Sequence, residues 1–386
     1  MKNVFNTQPG SSPGYNIVMS EATLAGILQY KADIASGKAS PGARLKAALD
    51  GEKAPEQFIE ALLSTKQPKI FAESEIRGDG SDWTHRELAL LGDINVTMAV
   101  KIFDNGAWSP SDKHFREHAV PLEGHLLFTP GPLLGVGAAF SGTSPDFAEV
   151  VSGGKIDQAK YNALIERRLL PILAEANDCA AKDGTPALIT LPGIGCGAFA
   201  GSFKGQMGAH LDTALRAMLE KHAPSLPHIA GVYFDPFGEC GNAQKDFGGI
   251  KYLVRPATLN PGKPQLCAPE TYGADFADCR LYKIVAWDHA SLPGNDFFGD
   301  SRFTDDGVSA AATNSMEVVT GTRGHYSGGS YAPPAGYKDW EDVAEKNNVR
   351  LQAAGNVKIV TADAACLDLQ SYLNMAAPAR KTAPRP

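Results

Sequence analysis

Carboxylates are concentrated in one short segment of the second half of the chain. Five aspartates fall within nineteen residues, from Asp288 to Asp306. The segment lies between a predicted apolar strand at 281–287 and a predicted helix at 308–319. Neighbouring carboxylates raise each other's pKa unless a cation or a polar ligand separates them. The segment therefore predicts a polyol, a cation or a proton-transfer step at the end of a strand.

Two simpler interpretations of the cluster remain open. Asp305 and Asp306 would fall in the first turn of the helix, where the helix dipole favours acids. Capping accounts less well for Asp288, which ends a strand, and for Asp296, which precedes two phenylalanines. Clustered carboxylates also suit magnesium or calcium, but their spacing does not match an EF-hand loop. We therefore rank proton transfer above a metal site.

A glycine-rich segment follows another predicted strand, at 187–191. It runs from Pro192 to Gly205 and leads directly into a predicted helix. Glycines let the backbone approach a ligand closely, and the loop N–H groups and the helix N-terminus would form an anion site suited to a diphosphate. The segment matches neither the P-loop nor the Rossmann fingerprint. A tight turn without a ligand is the alternative.

Three further segments each allow two interpretations. Leu91–Asn95 enters a predicted strand, and its Asp93 and Asn95 are ordinary turn residues when taken alone. His289 could be a general base, although a single histidine near a strand end is more often a structural donor. The segment at 321–334 is either a lid or partner-contact loop or a plain surface loop.

The apolar pattern predicts a doubly covered sheet. Most candidate strands are continuous apolar runs, as expected for strands buried on both faces, and helices are predicted between them at 157–176 and 202–222. The result is a three-layer α/β/α sheet, which binds ligands beyond the carboxyl ends of its strands. The predicted strands lie at 96–103, 124–129, 187–191, 229–234, 251–254, 280–287 and 357–361.

The domain prediction has four parts. Residues 1–16 form a flexible N-terminus, residues 17–88 a helical N-terminal extension, and residues 89–368 the catalytic domain. Residues 369–386 form a flexible C-terminal tail rich in proline and polar residues.

Composition excludes several classes of protein. A net charge of -7 provides no general field for nucleic acid or an anionic membrane. The six cysteines contain no CxxC pair, which argues against a zinc site and a disulfide framework. No window approaches 18 apolar residues and the start has no signal-peptide core. We expect a cytoplasmic protein without metal, cofactor or membrane partner; another kind of secretion signal stays open.

Taken together, the loops resemble those of the macrodomain family, which binds or hydrolyses ADP-ribose. Gly92–Asn95 is similar to the Gly-Asp-Ile-Thr signature of many macrodomains, whose aspartate meets the adenine. The segment 192–201 is similar to their diphosphate loop, in which an aromatic residue, here Phe199, packs beside the distal ribose.

The resemblance is narrower for the MavL type, a divergent macrodomain of a Legionella effector that removes ADP-ribose from an arginine of ubiquitin. Segments 127–131, 166–171 and 295–316 are similar to that type. Its acids are three aspartates separated by eight and ten residues, a spacing that Asp288, Asp296 and Asp306 match. The resemblance covers about residues 90–365. The chain lacks the Gln-Glu-Glu signature of poly-ADP-ribose glycohydrolases, so a poly-ADP-ribose substrate is not expected.

The resemblance implies a macrodomain-like mixed sheet with a helical N-terminal extension and a hydrolase of N-glycosidic ADP-ribosyl bonds. Its ligand would be ADP-ribose, and its substrate would be an ADP-ribosylated arginine of a protein such as ubiquitin. The protein would be located in a host cell cytosol after secretion. Such cleavage needs a carboxylate to stabilise an oxocarbenium-like transition state or activate water, and an acid for the leaving group. The implied catalytic residues are Asp288, Asp296 and Asp306. The implied ligand-binding residues are Asp93, Asn95, Gly193, Ile194, Gly195, Cys196, Gly197, Phe199, Asn295, Phe297 and Asn314.

Two other functions stay open. A non-catalytic ADP-ribose reader would use the same pocket, and a magnesium-dependent hydrolase would use the aspartate cluster.

Overall fold

A computed structural model describes residues 13–69, 75–109, 114–135, 144–263, 266–295, 306–327 and 330–376. Within these ranges, one ten-stranded mixed sheet is covered by helices on both faces. This arrangement confirms the predicted three-layer α/β/α fold.

The strands of the described residues follow in chain order. They are β1 (Asn16–Ser20), β2 (Asn95–Ser109), β3 (His114–Pro130), β4 (Val151–Ser152), β5 (Lys155–Ile156), β6 (Ala187–Pro192), β7 (Ile229–Asp235), β8 (Ala243–Phe247), β9 (Ile250–Val254), β10 (Arg280–Trp287), β11 (His325–Ser327), β12 (Ser330–Ala332), β13 (Val357–Val360) and β14 (Cys366–Asp368).

The large sheet has the order β14-β13-β1-β2-β3-β10-β6-β7-β9-β8. Strands β13, β1, β3, β10, β6, β7 and β9 point the same way, whereas β14, β2 and β8 run against them. The carboxyl ends of β3, β10, β6 and β7 therefore meet at one edge of the sheet. The start of β2 lies at this edge too, because β2 is antiparallel to β3.

Helices of the described residues form the outer layers. They are α1 (Glu21–Ala35), α2 (Ala43–Ala48), α3 (Pro55–Leu63), α4 (His85–Gly92), α5 (Pro145–Val150), α6 (Gln158–Asp183), α7 (Met207–His222), α8 (Asp306–Thr320), α9 (Trp340–Lys346) and α10 (Leu369–Ala376). Helices α1, α3, α4 and α8 bury their apolar side chains against one face, and α6 and α7 bury theirs against the other.

Local sequence explains where the long helix α6 begins and ends. Asp157 accepts hydrogen bonds from the backbone N–H groups of Ala159 and Lys160, which satisfies donors at the helix start. Gly184 ends the helix in the left-handed conformation, with φ of 65°. Pro171 lies inside the helix. The helix thus runs past residue 176, where the apolar pattern alone predicted its end.

Strand β1 was not predicted from the sequence. It is only five residues long and joins the sheet between β13 and β2, to which it is parallel and antiparallel respectively. Residues from α1, α3 and α4 share one apolar core with residues of β2 and α8. The division into an N-terminal extension and a catalytic domain stays a prediction.

Candidate functional site

A cavity of about 630 Å³ lies where β6, β7 and β10 end. Its position matches the edge at which parallel sheets bind ligands, and its volume is that of a small-molecule site. The glycine loop (residues 193–205), the turn after β7 and the segment 255–263 after β9 contribute most of the wall. The lining residues are Gly106, Ala107, Pro192, Gly193, Cys196, Gly197, Lys204, Asp235, Pro236, Phe237, Glu239, Ala257, Asn260, Pro261, Gly262, Lys263 and Ala286.

One part of the cavity wall is suited to an anion. Lys204 and Lys263 both line it, and neither has an ion-pair partner in the part of the chain that the structure describes. The backbone N–H of Gly197 also donates to no acceptor within those residues. Gly197 is exposed. Lysines beside loop amides are a common arrangement for phosphate groups.

Phe237 provides an exposed aromatic ring in the same wall. Its side chain is 72% exposed, and its backbone φ of 60° is uncommon for a bulky residue. The turn is held by Asp235, whose carboxylate accepts from the N–H groups of Phe237 and Ala257 at 2.8 Å each. Strained backbone persists where its surroundings impose it and often marks a ligand site. Phe237 is thus a candidate for stacking on a planar group.

Phe237 is not among the site residues predicted from the sequence. The available indication was its position, since Asp-Pro-Phe-Gly follows the predicted strand at 229–234 directly. The predicted strand-end loops stand out by their charged residues or glycines, and a lone phenylalanine forms no such pattern. Only the cavity distinguishes it from a surface residue.

The glycine loop is closely packed against the segment that follows β3. A Cβ atom on Gly195 would lie 2.7 Å from the Pro132 ring, and one on Gly131 would lie 2.7 Å from the Gly195 nitrogen. Gly195 also has a positive φ of 73°. Of the predicted loop residues, Gly193, Cys196 and Gly197 line the cavity. Ile194, Gly195 and Phe199 do not, and the side chains of Ile194 and Phe199 are buried.

Cys196 lines the cavity as a thiol rather than a thiolate. Burial raises the pKa of Cys196 well above its usual range, and the nearby charge of Glu239 acts in the same direction. The thiolate is the nucleophilic form of cysteine. Cys196 is therefore part of the cavity surface and is unsuited to nucleophilic catalysis.

The start of α7 holds a protein carboxylate instead of an open anion site. Glu239 accepts hydrogen bonds from the backbone N–H groups of Gly205 at 3.1 Å and Gly208 at 2.5 Å. Acids at this position stabilise a helix because they pair with its unsatisfied N–H groups. The sequence predicted that this N-terminus would contribute to diphosphate binding. In the structure Glu239 occupies it.

Asp288 follows β10 directly and lies two residues beyond Ala286, which lines the cavity. Its side chain is buried, and its Oδ2 accepts from Ser291 Oγ at 3.0 Å and from Asn295 Nδ2 at 2.7 Å. These two neutral donors hold the carboxylate in one orientation. Asn295, predicted as a ligand-binding residue, thus contacts Asp288.

Asp93 is engaged by two arginines of α6. Its Oδ1 accepts from Arg168 Nε at 3.0 Å, and its Oδ2 accepts from Arg167 Nε at 2.5 Å. Arg167 also forms a two-fold ion pair with Glu149. An aspartate that meets adenine would have to do so from within this network. The proposed contact of Asp93 with adenine stays a prediction.

Arg168 connects Asp93 to a second buried acid. It donates to Asp146 at 2.6 and 3.0 Å, and His289 Nε2 lies 3.1 Å from the same carboxylate. Burial raises the pKa of Asp146, but the charges and hydrogen bonds of Arg168 and His289 lower it further, so it lies well below its ordinary value. Gly92 is required beside this network, because a Cβ there would lie 2.5 Å from the His289 ring.

Two predicted asparagines bond to the protein backbone. Asn314 on α8 accepts from the N–H of Phe103 at 2.9 Å and donates to the carbonyl of Asp104 at 2.9 Å, which ties α8 to β2. Asn95 is fully buried and donates to the carbonyl of Arg168 at 3.0 Å. Neither lines the cavity. Their roles in ligand binding stay predictions.

A comparison with protein families identifies this architecture. The family model described as macrodomain effector MavL matches residues 15–337. The chain belongs to this macrodomain family. The match includes β1 and the N-terminal helices as well as the cavity. No curated protein matches the chain.

Membership in the MavL macrodomain family supports an ADP-ribose-related function and places the chain among effectors. Of the three aspartates assigned by resemblance, the structure describes the side chain of Asp288 alone. Asp306 is the first residue of α8, with its side chain outside the described set, and Asp296 and Phe297 lie outside the described residues altogether.

The described residues carry neither a metal cluster nor a membrane span. In the described ranges, whose gaps include 296–305, no three histidine, cysteine, aspartate or glutamate side chains could hold a metal ion together. In the same ranges no helix is long and apolar enough to cross a membrane.

Proposed function

We propose that this protein is an ADP-ribosylhydrolase that binds ADP-ribose in the strand-end cavity. Its substrate would be a protein carrying mono-ADP-ribose on an arginine, with ubiquitin the first candidate. The observation that carries the proposal is the cavity itself, which combines Phe237, Lys204, Lys263 and the Gly197 amide. Family membership gives the ligand class.

The cavity wall is complementary to the parts of ADP-ribose. An exposed aromatic ring can stack on adenine, and two lysines beside a glycine amide can offset the two charges of a diphosphate. Glu239 and Asp235 also line the wall. Each is hydrogen-bonded to backbone N–H groups, which offsets part of its negative charge.

The reaction is cleavage of the bond between the ribose anomeric carbon and a guanidine nitrogen of arginine. Water supplies the hydroxyl that replaces the guanidine, and the leaving nitrogen takes a proton. We assign water activation or ribose binding to Asp296 or Asp306. Asp288, oriented by Ser291 and Asn295, would orient neighbouring groups or bind the target arginine.

Calorimetry tests the ligand. Titration of the protein with ADP-ribose should give micromolar or tighter binding, and AMP should bind more weakly because it lacks the second phosphate and the distal ribose. Absence of ADP-ribose binding by the intact protein would end the proposal.

Turnover separates a hydrolase from a reader. Arginine-ADP-ribosylated ubiquitin would be incubated with the protein, and released ADP-ribose and unmodified ubiquitin would be measured by mass spectrometry. A hydrolase removes the mark, whereas a reader binds the modified protein and leaves it intact. Repeating the assay in EDTA distinguishes a magnesium-dependent hydrolase, which would lose activity.

Substitution within the aspartate cluster tests the assigned roles. We expect Asp296→Asn to lower turnover at least tenfold with little change in ADP-ribose affinity, since general acid–base groups typically contribute about 100-fold or more. Asp306→Asn should lower both turnover and affinity. Asp305→Asn is the matched control and should be near neutral. The assignment would be contradicted if Asp305→Asn abolished turnover while Asp296→Asn and Asp306→Asn left it unchanged.

As an effector, the protein would act in the cytosol of a host cell. A reporter fused to the chain, and expressed in a bacterium that secretes effectors, should reach that cytosol in a secretion-dependent manner. Retention of the fusion in the bacterium would contradict this part of the proposal.

A further inference from the structure

Lys66 is a buried lysine in the N-terminal part of the chain. Its residue exposure is 4%, and its Nζ lies 3.9 Å from the centroid of the Trp287 ring. The same ammonium group donates to the backbone carbonyls of Asp288, at 3.3 Å, and His289. Burying an ammonium group is costly unless polar partners replace its water. Trp287 is the last residue of β10, and Asp288 and His289 follow it directly.

The neighbouring residue extends the contact along the chain. Gln67 N donates to the carbonyl of Ala290 at 2.7 Å, and Leu292 N donates to the carbonyl of Gln67 at 2.8 Å. Gln67 and Ser291 form an isolated parallel bridge. Residues 66–67 thus hold the backbone from 288 to 292 in a fixed position.

We infer that Lys66 is a positioning residue that fixes Asp288 so that this carboxylate orients the neighbouring groups of the active site. This inference rests on the proposed function. The Asp288 carboxylate is held by Ser291 and Asn295, which themselves belong to the loop after β10. Lys66 lies in the segment after α3 and anchors that loop to the rest of the protein. A displacement of about 1 Å at a reacting group can cost about 100-fold in rate.

Three variants test the inference. Lys66→Met keeps the length of the side chain and its contact with Trp287 but cannot donate to the two carbonyls. Lys66→Arg keeps the charge and the donors. Lys69→Met is the matched control, because Lys69 lies on the same segment and its side chain is 42% exposed, paired with Glu75.

The measurements are turnover, ADP-ribose affinity, melting temperature and hydrogen exchange of the 288–295 peptide. We expect Lys66→Met to lower kcat at least tenfold, to leave KM and ADP-ribose affinity within about twofold, and to speed exchange in 288–295. Lys66→Arg should have a kcat much closer to that of the wild-type protein than Lys66→Met has. Lys69→Met should behave like the wild-type protein.

Several results would overturn the inference. Unchanged kcat in Lys66→Met would do so, and so would a loss of ADP-ribose affinity in proportion to kcat, because that pattern indicates general destabilisation. If the unmodified protein binds ADP-ribose but removes it from no protein, the proposed hydrolase function fails. Lys66 would then have no catalytic role, whatever the exchange data show about the loop.

Discussion

Gly197 is the loop glycine best placed to test the cavity. A Cβ added there would meet no atom within 4 Å, and the residue lines the cavity. We expect Gly197→Glu to abolish ADP-ribose binding in calorimetry with little change in melting temperature, because the added carboxylate would occupy the anion site. Gly241→Glu is the matched control, since Gly241 also has open space and does not line the cavity. Equal ADP-ribose affinity in both variants would contradict the site. Gly195→Glu is unsuitable, because it would collide with Pro132 whether or not a ligand binds.

Phe237 should show opposite effects on binding and stability. Replacement by glycine removes the ring and relieves a backbone φ of 60°. We expect ADP-ribose affinity to fall about tenfold or more, since stacking contributes about 1–3 kcal/mol per base. We expect the free energy of unfolding to rise by up to about 1 kcal/mol, because glycine adopts this conformation without strain.

The comparison variant for Phe237 is Leu259→Gly. Leu259 is 58% exposed, lies in the neighbouring loop and does not line the cavity. Its ADP-ribose affinity should stay unchanged. Unchanged ADP-ribose affinity in Phe237→Gly would mean that the ring is not part of the binding site.

At the scale of elements, the cap of α7 couples helix stability to ligand affinity. Glu239→Gln keeps the shape of the side chain and removes its charge. Unfolding by urea should show a loss of about 1 kcal/mol, since the charged cap acts on the helix dipole. ADP-ribose should bind more tightly, because a carboxylate is removed from a wall that would hold a diphosphate. Weaker ADP-ribose binding would mean that Glu239 contributes to the ligand site.

Helix α6 and the loop after β10 show how separate elements produce the site. Arg168 on α6 reaches Asp93, at the end of α4, and Asp146 on α5. His289, in the loop after β10, completes the network. The packing of these elements against one another buries their charged side chains and pairs them. The position of His289, the residue after Asp288, therefore depends on elements far apart in the sequence.

At the scale of the whole molecule, this network predicts how stability depends on pH. The pKa of Asp146 is lowered in the folded state, so the stability it contributes is fully present above the ordinary aspartate pKa of about 4 and is lost progressively as pH falls from there through the lower folded-state pKa. The free energy of unfolding, measured in urea, should change less between pH 7 and pH 3 for Asp146→Asn than for the wild-type protein. Asp275→Asn, at an exposed ion pair with Lys251, is the control. Equal pH dependence in Asp146→Asn and the unmodified protein would contradict the role of this acid.

Much of the sheet follows from local sequence. The seven predicted strands all appear, because continuous apolar runs have few alternatives to a position covered on both faces. The glycine loop was also predicted in place, since a cluster of glycines after a strand strongly favours a tight turn. Strand β1 was not predicted, because five residues are too few to show a clear apolar pattern. The strand also depends on pairing with β13, which lies far along the chain.

The composition of the cavity wall was decided by the tertiary structure. Gly193 and Gly197 were predicted because they belong to a glycine-rich loop after a strand, but Phe237, Lys263 and Glu239 come from segments with no recognisable motif. Asp93 has the same sequence context as a ligand-binding acid, yet its carboxylate is paired with Arg167 and Arg168. A local pattern reports which backbone shape and burial a segment prefers. The partners of Asp93 are set by which elements the fold brings together, because Arg167 and Arg168 lie 74 and 75 positions away in the sequence.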